Sequence, residues 1–287
     1  MTRYGKVERG IVASYTAVAS RAMALPPQRE HYPQFPTQVV DVVDLSPAFR
    51  RVVLQAPELH TLERMGPDEY VGVFMPRPGI ELVLPENVFN PRSALGRIPE
   101  HVRPELRWYT IRAHRPDEGR LDLDIISRGH DGPGAQWINS VAPGDHVGLR
   151  VQTALYASAP PTGHHLLLAD ETGLPGILSI LDEHAQRSAD TSPMPRLTTL
   201  AEVPGADHIY DEVRMSGVDV RFRGDSAPGS ALLPALRELT LGRIDYAWIC
   251  AEGSTVAAAK KYLTKELGVP RRAITSSGFW RLGRARP

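Results

Sequence analysis

The sequence predicts two folds in series: an antiparallel β barrel, then an α/β domain built on a mainly parallel sheet. Three observations lead there. The 287-residue length fits two cores of roughly 100 to 150 residues. Short β-branched runs broken by turn residues crowd the stretch from residue 39 to 151, with no amphipathic helices between them. Beyond the linker Ala159-Pro160-Pro161-Thr162-Gly163 the runs alternate with helical patterns, as parallel sheets with crossover helices require.

Residues 1–36 have no steady period and end in the proline-rich segment from Leu25-Pro26-Pro27 to Phe35-Pro36, which reads as an N-terminal extension. Arg3, Lys6 and Arg9 precede the mildly apolar Ile11 to Ala19, an arrangement that resembles a secretory leader. Ser14, Tyr15 and Thr16 dilute the apolar centre and Arg21 stands before the small-residue Ala22-Met23-Ala24, so the expected location is the cytoplasm.

The barrel is expected over residues 37–157, with strands at Val39–Val43, Arg51–Gln55, Tyr70–Met75, Trp108–His114, Leu121–Ile126 and His146–Val151. The polar, proline-bearing stretch from Arg77 to Leu106 reads as a long loop. In the second domain, residues 163–287, strand-like Leu166–Ala169, Leu197–Glu202, Val218–Phe222 and Tyr246–Ala251 alternate with helical Pro175–Gln186, a short Asp207–Arg214 element, Leu232–Leu239 and Thr255–Leu267. Such a sheet offers a ligand crevice at the carboxyl ends of its strands.

With 33 basic and 33 acidic residues the formal charge is zero, so no chain-wide field exists to hold nucleic acid. No apolar run approaches the roughly 20 residues of a membrane span. The single cysteine, Cys250, lies in an apolar run and reads as a buried small hydrophobe. No spacing of the ten histidines matches a zinc or di-iron site. No Gly-x-Ser-x-Gly elbow or Walker loop occurs.

The chemistry concentrates in two segments. In Arg107-Trp108-Tyr109-Thr110-Ile111-Arg112, strand alternation places Arg107, Tyr109 and Ile111 on one face and Trp108, Thr110 and Arg112 on the other. A flavin needs an aromatic side chain against its ring, a hydroxyl or amide near its redox nitrogen and cations for its phosphates. These residues supply all three, although a half-buried strand with outward arginines would read the same. Gly129-His130-Asp131-Gly132-Pro133-Gly134-Ala135-Gln136-Trp137 follows the next strand. Its glycines admit close backbone approach, and a helix starting near Gly134 would direct N–H groups at an anion such as a pyrophosphate.

In this order, the two motifs resemble the FAD-binding barrel of the ferredoxin-NADP reductase superfamily, and more closely the siderophore-interacting protein family, with its R-x-Y-T-x-R and H-G-x-x-G-P-a-s-x-W segments. Ala169-Asp170-Glu171-Thr172-Gly173-Leu174-Pro175-Gly176-Ile177 is similar to the family's G-D-E-T-a-l-P-A-i. Trp248-Ile249-Cys250-Ala251-Glu252-Gly253 is similar to W-x-a-G-E-a, and Gly278-Phe279-Trp280-Arg281-Leu282-Gly283 to G-Y-W-r-x-G. Three departures stand out: Arg128 replaces the family's histidine, Ala135 its small hydroxyl residue, and Val151-Gln152-Thr153 its Gly-Pro.

The resemblance implies a barrel that holds FAD and a Rossmann-like domain that receives NADH or NADPH, with electrons passing on to an iron(III)-siderophore and no acid or base catalyst needed. It implies cofactor contacts at Arg107, Tyr109, Thr110, Arg112, Arg128, Gly132, Gly134, Ala135 and Trp137, and at Asp170, Thr172 and Glu252 beside the nicotinamide. Lys260, Lys261, Arg281 and Arg284 are the candidate cations for the ferric siderophore. The G-x-G-x-x-G fingerprint is absent, so the choice of nicotinamide stays open. A general flavin or ferredoxin-type reductase and a non-catalytic siderophore-binding module are the alternatives.

Overall fold

The computed structural model describes residues 27–129, 132–156, 159–187 and 193–283. Its first half contains β1 (Gln34–Ser46), β2 (Phe49–Gln55), β3 (Tyr70–Met75), α1 (Pro91–Leu95), β4 (Glu105–Thr110), β5 (Ala113–Arg115), β6 (Arg120–Ile126), α2 (Pro133–Ser140) and β7 (His146–Val151). The seven strands form one antiparallel sheet in the order β4-β3-β7-β1-β2-β6-β5. Its outermost strands, β4 and β5, are consecutive in the chain and separated only by Ile111 and Arg112. The sheet therefore curls until its ends meet, as the expected barrel requires. Val39, Val52, Leu54, Val71 and Val73 fill the interior, and Ile138 of α2 packs on the same core. Each such side chain contributes about 1.5 to 3 kcal/mol.

The largest differences from the expected strands fall at two places. The single strand expected over Trp108–His114 is two, because the chain turns a corner there. The Ile111 N–H still donates to Glu69 O on the β3 side, whereas that of Arg112 donates to Asp122 O of β6. The first strand also begins earlier, within the proline-rich end of the expected extension. Phe35 pairs with Leu149 and Pro36 with Gly148 of β7, while pairing to β2 starts only at Gln38. Pro36 thus has a neighbour on one side only, where a missing N–H is tolerated.

The second half contains β8 (His164–Asp170), α3 (Leu174–Arg187), β9 (Arg196–Val203), α4 (Asp211–Met215), β10 (Asp219–Phe222), α5 (Leu232–Glu238), β11 (Tyr246–Glu252), α6 (Gly253–Lys265) and β12 (Ile274–Trp280). Its sheet is parallel throughout, in the order β10-β9-β8-β11-β12. Alternate residues of β8 and β11 serve different layers. Leu167, Ala169, Trp248 and Cys250 pack toward α3, and Leu166, Leu168, Ala247 and Ile249 toward α5 and α6. Both central strands are buried along their whole length, which is why they read as near-continuous apolar runs. Strand order reverses direction between β8 and β11, and such a switch point opens a crevice at the carboxyl ends. Among the described residues no helix is long and apolar enough to cross a membrane.

The two sheets share side chains at their junction. Phe49 of β2 packs into the layer that holds Trp248 and Tyr210, and the Trp248 indole N–H donates to Asp68, just before β3.

Candidate functional site

A cleft of about 800 Å3 is lined by the barrel and by the carboxyl edge of the parallel sheet, a size suited to a cofactor. On the barrel side Arg107, Tyr109 and Thr110 of β4 line it. Tyr109 is backed by Trp137 of α2, with ring centroids 6.4 Å apart and planes inclined by 30°. Burial raises the pKa of the Tyr109 hydroxyl well above its ordinary value, so it stays protonated.

Gly132, Gly134 and Ala135 at the start of α2 form the adjoining wall. A Cβ on Gly134 would stand 2.5 Å from the Tyr109 hydroxyl and 3.4 Å from Arg107 Cγ, so only glycine lets α2 begin against β4. A Cβ on Gly132 would meet nothing within 4 Å. Pro133, at the first helical position, has no N–H to leave unpaired.

The opposite wall comes from the parallel sheet. Glu171 and Thr172 follow β8 into the cleft, and Phe279, Trp280 and Arg281 reach it from β12 and its end. Asp170, 1% exposed, ties these strand ends together from beneath. Its Oδ1 accepts from the Thr172 N–H at 2.9 Å and from the Thr172 hydroxyl at 2.5 Å. Its Oδ2 accepts from the Glu252 N–H and the Trp280 indole N–H, each at 2.7 Å. Burial first, then the neighbouring Glu171 charge, raises the Asp170 pKa. Glu171 is gripped by both Arg223 terminal nitrogens at 2.6 and 2.7 Å.

Of the site residues expected from sequence, Arg107, Tyr109, Thr110, Gly132, Gly134, Ala135, Thr172 and Arg281 line this cleft. Trp137 and Asp170 stand behind it. Glu252 caps α6, accepting from the Ser254 N–H at 2.6 Å and the Thr255 N–H at 3.1 Å, and it also accepts from the Leu282 N–H at 3.3 Å. Burial opposes its ionisation, but these hydrogen bonds hold its pKa below the usual range.

Arg112 is placed elsewhere. At the corner between β4 and β5 it turns toward the other sheet and donates to Glu212 of α4 at 2.6 and 3.0 Å and to Asp182 of α3 at 2.5 Å. Arg128 is exposed outside the lining, although Gly129 belongs to it. Lys260 and Lys261 also lie outside, because α6 starts at the cleft edge and carries them about 11 Å along its axis. Arg284 falls outside the described residues.

Sequence reasoning missed Arg92, which lines the cleft from α1 inside the stretch expected to be a loop. It also left Phe279 and Trp280 without a role. Their segment, Ile274-Thr275-Ser276-Ser277-Gly278, is too polar to read as a strand, and its pairing with β11 makes it one.

An antiparallel barrel followed by a parallel sheet, with a shared cleft carrying an aromatic, a hydroxyl and arginines, defines a two-module flavin and nicotinamide oxidoreductase fold. Residues 38–151 match the profile of the siderophore-interacting FAD-binding domain, and residues 162–283 that of the siderophore-interacting protein. The chain belongs to the siderophore-interacting protein family.

Ferric vibriobactin reductase of Vibrio cholerae is 23% identical over 191 residues, covering 65% of this chain and 68% of that protein. NADPH-dependent ferric-chelate reductase of Escherichia coli is 25% identical over 245 residues, covering 84% and 91%. The crystal structure of a siderophore utilization protein from T. fusca superposes with a TM-score of 0.72 at 24% identity, covering 92% of this chain and 98% of that one; it shares the fold.

The cleft fits the family's cofactor. Gly132, where a Cβ would meet nothing within 4 Å, leaves room before α2, and Arg107, Tyr109 and Thr110 line the same cleft.

Proposed function

We propose that the chain is a ferric-siderophore reductase drawing electrons from NADH or NADPH through FAD. The observation that carries this is the shared cleft, in which Arg107, Tyr109 and Thr110 of the FAD-binding domain stand across from Thr172 and Trp280 at the carboxyl edge of the parallel sheet. In this reading residues 37–157 hold FAD, residues 163–287 receive the nicotinamide, and the ferric siderophore reaches the open rim. The names of the curated relatives, reductases of ferric vibriobactin and of ferric chelates, support that substrate class.

When bound, FAD supplies the conversion of a two-electron hydride donation into the single-electron transfers that iron(III) needs. The protein's own residues do the rest. Tyr109, held by Trp137, presents an aromatic face. Arg107 and the start of α2 meet phosphate. Asp170 ties Thr172 and Trp280 together through hydrogen bonds at the strand ends. Arg281, exposed at the rim, offers a charge to an anionic siderophore. Siderophores hold hard iron(III) through oxygen donors more tightly than iron(II), so reduction itself loosens the metal.

The test is a substrate panel. The purified protein should be yellow, bleach with NADH or NADPH, and reduce ferric siderophores faster than free flavin or ferredoxin. A protein that bleaches but prefers flavin or ferredoxin would be a general reductase, and one that holds no flavin a binding module.

A further inference from the structure

The cleft contains a cation that the family motifs do not include. Arg92 stands on α1, whose start is fixed by Asn90. The Asn90 Oδ1 accepts from the Arg92 N–H at 3.1 Å and the Ser93 N–H at 3.4 Å. Leu95, one helical turn on, is buried in a small cluster with Phe74 of β3 and Leu106 of β4. That packing fixes α1 against β4. Both arginines line the cleft.

The local charge is lopsided. Arg92 has no acidic partner among the described residues, and Arg107 has only the distant Glu105 carboxylate at 3.6 Å. The two carboxylates that line the cleft are already engaged: Asp124 by Arg51 and Glu171 by Arg223. Burial first and then the nearby Arg107 charge lower the Arg92 pKa, so the two guanidinium groups lie within electrostatic reach of one another. Arg107 in turn touches the start of α2, where its Cγ lies 3.4 Å from the position of a Gly134 Cβ. The pyrophosphate of FAD carries two negative charges, and Ala135 brings no hydroxyl to share in binding them.

We propose that Arg92 pairs with Arg107 as a two-arginine clamp on the FAD pyrophosphate, in place of the hydroxyl donor that this chain lacks at Ala135. The proposal rests on the FAD-binding assignment and extends it to a residue outside the motifs. A dianion answered by two guanidinium forks is bound more tightly than one met by a single arginine and a helix start.

The experiment titrates FAD and riboflavin, which lacks phosphate, into full-length protein stripped of flavin, with Arg92→Gln and Arg92→Lys beside the parent. Flavin fluorescence gives the dissociation constants. Loss of one charge-assisted hydrogen bond predicts about a tenfold or greater weakening for FAD in Arg92→Gln, an intermediate loss in Arg92→Lys, and no change for riboflavin. FAD affinity within twofold of the parent overturns the clamp, as does an equal loss for both flavins, which would mark a structural role. Unchanged FAD affinity with a raised KM for an anionic ferric siderophore would move Arg92 to the substrate. A parent protein that binds no FAD at all would instead remove the assignment beneath the proposal.

Discussion

Trp248 donates its indole N–H to Asp68 Oδ2 at 2.7 Å, joining the centre of β11 to the chain just before β3. The other oxygen, Oδ1, accepts from the Tyr156 N–H at 2.9 Å, so one carboxylate bonds both the parallel sheet and the segment leading into it. Burial raises the Asp68 pKa from 3.8 to about 6 against the pull of those hydrogen bonds.

The raised pKa has a definite sign. Between 3.8 and about 6 the folded protein binds a proton that the unfolded chain has released, so this group's contribution to stability falls as pH rises through that window, by on the order of 3 kcal/mol. Asp68→Asn, which does not titrate, should lose that slope. Denaturant unfolding of both proteins from pH 4 to pH 7 measures it, and parallel stability curves would rule the assignment out.

Arg112 is expected to act as a clasp between the sheets. Arg112→Ala should destabilise the protein by about 1 to 3 kcal/mol, since it strips charge-assisted bonds from Glu212 and Asp182. A double-mutant cycle with Glu212→Gln should return a coupling of roughly 0.5 to 3 kcal/mol. Flavin affinity should fall less than in Arg107→Ala. A loss of flavin equal to that of Arg107→Ala, without loss of stability, would return Arg112 to the phosphate.

The fate of the arginines shows where sequence stops being informative. β3 and β7 are bounded as their apolar patterns foretell, Tyr70–Met75 and His146–Val151, because burial on a fixed face dictates alternation. Alternation also separated Arg107 from Arg112, but which of the two lines the cleft depends on the corner at Ile111–Arg112, where the chain leaves the edge of β3 and pairs with β6 in a hairpin. Arg92 was invisible for a related reason. Helix α1 has only five residues, too few for a period, and its position comes from Leu95 packing on Leu106. Lys260 and Lys261 form a conspicuous basic pair, yet helix geometry alone takes them away from the cleft. Thr172 and Trp280 lie near one another because Asp170 bonds both, a relation that no local pattern contains.

Gly134 should resist substitution for a reason that can be isolated. Gly134→Ala places a methyl 2.5 Å from the Tyr109 hydroxyl, so either α2 or the Tyr109 ring must move, at a cost of about 1 to 3 kcal/mol. Flavin occupancy and melting temperature should both drop. Adding Tyr109→Phe removes the atom in conflict and should restore part of the lost stability relative to Gly134→Ala alone. If the double variant is no better than the sum of the single ones, the contact is not the reason for glycine.

Thr172 offers the clearest separation of the two half-reactions. Its hydroxyl donates to Asp170 at 2.5 Å, and the residue lines the cleft at the carboxyl end of β8, where a nicotinamide would approach. Thr172→Val keeps the shape but removes the hydroxyl, and loss of one hydrogen bond of about 0.5 to 1.5 kcal/mol predicts a roughly two- to tenfold slower reduction of the flavin by NADH or NADPH. Reoxidation of pre-reduced protein by a ferric siderophore should keep its rate, because that step uses the open rim. Glu252→Gln is the control for a structural effect. It weakens the cap of α6, should cost about 1 kcal/mol of stability, and should perturb the two half-reactions without separating them. Stopped-flow absorbance of the flavin band follows both directions in the same sample. Equal slowing of both by Thr172→Val would place the nicotinamide away from the end of β8.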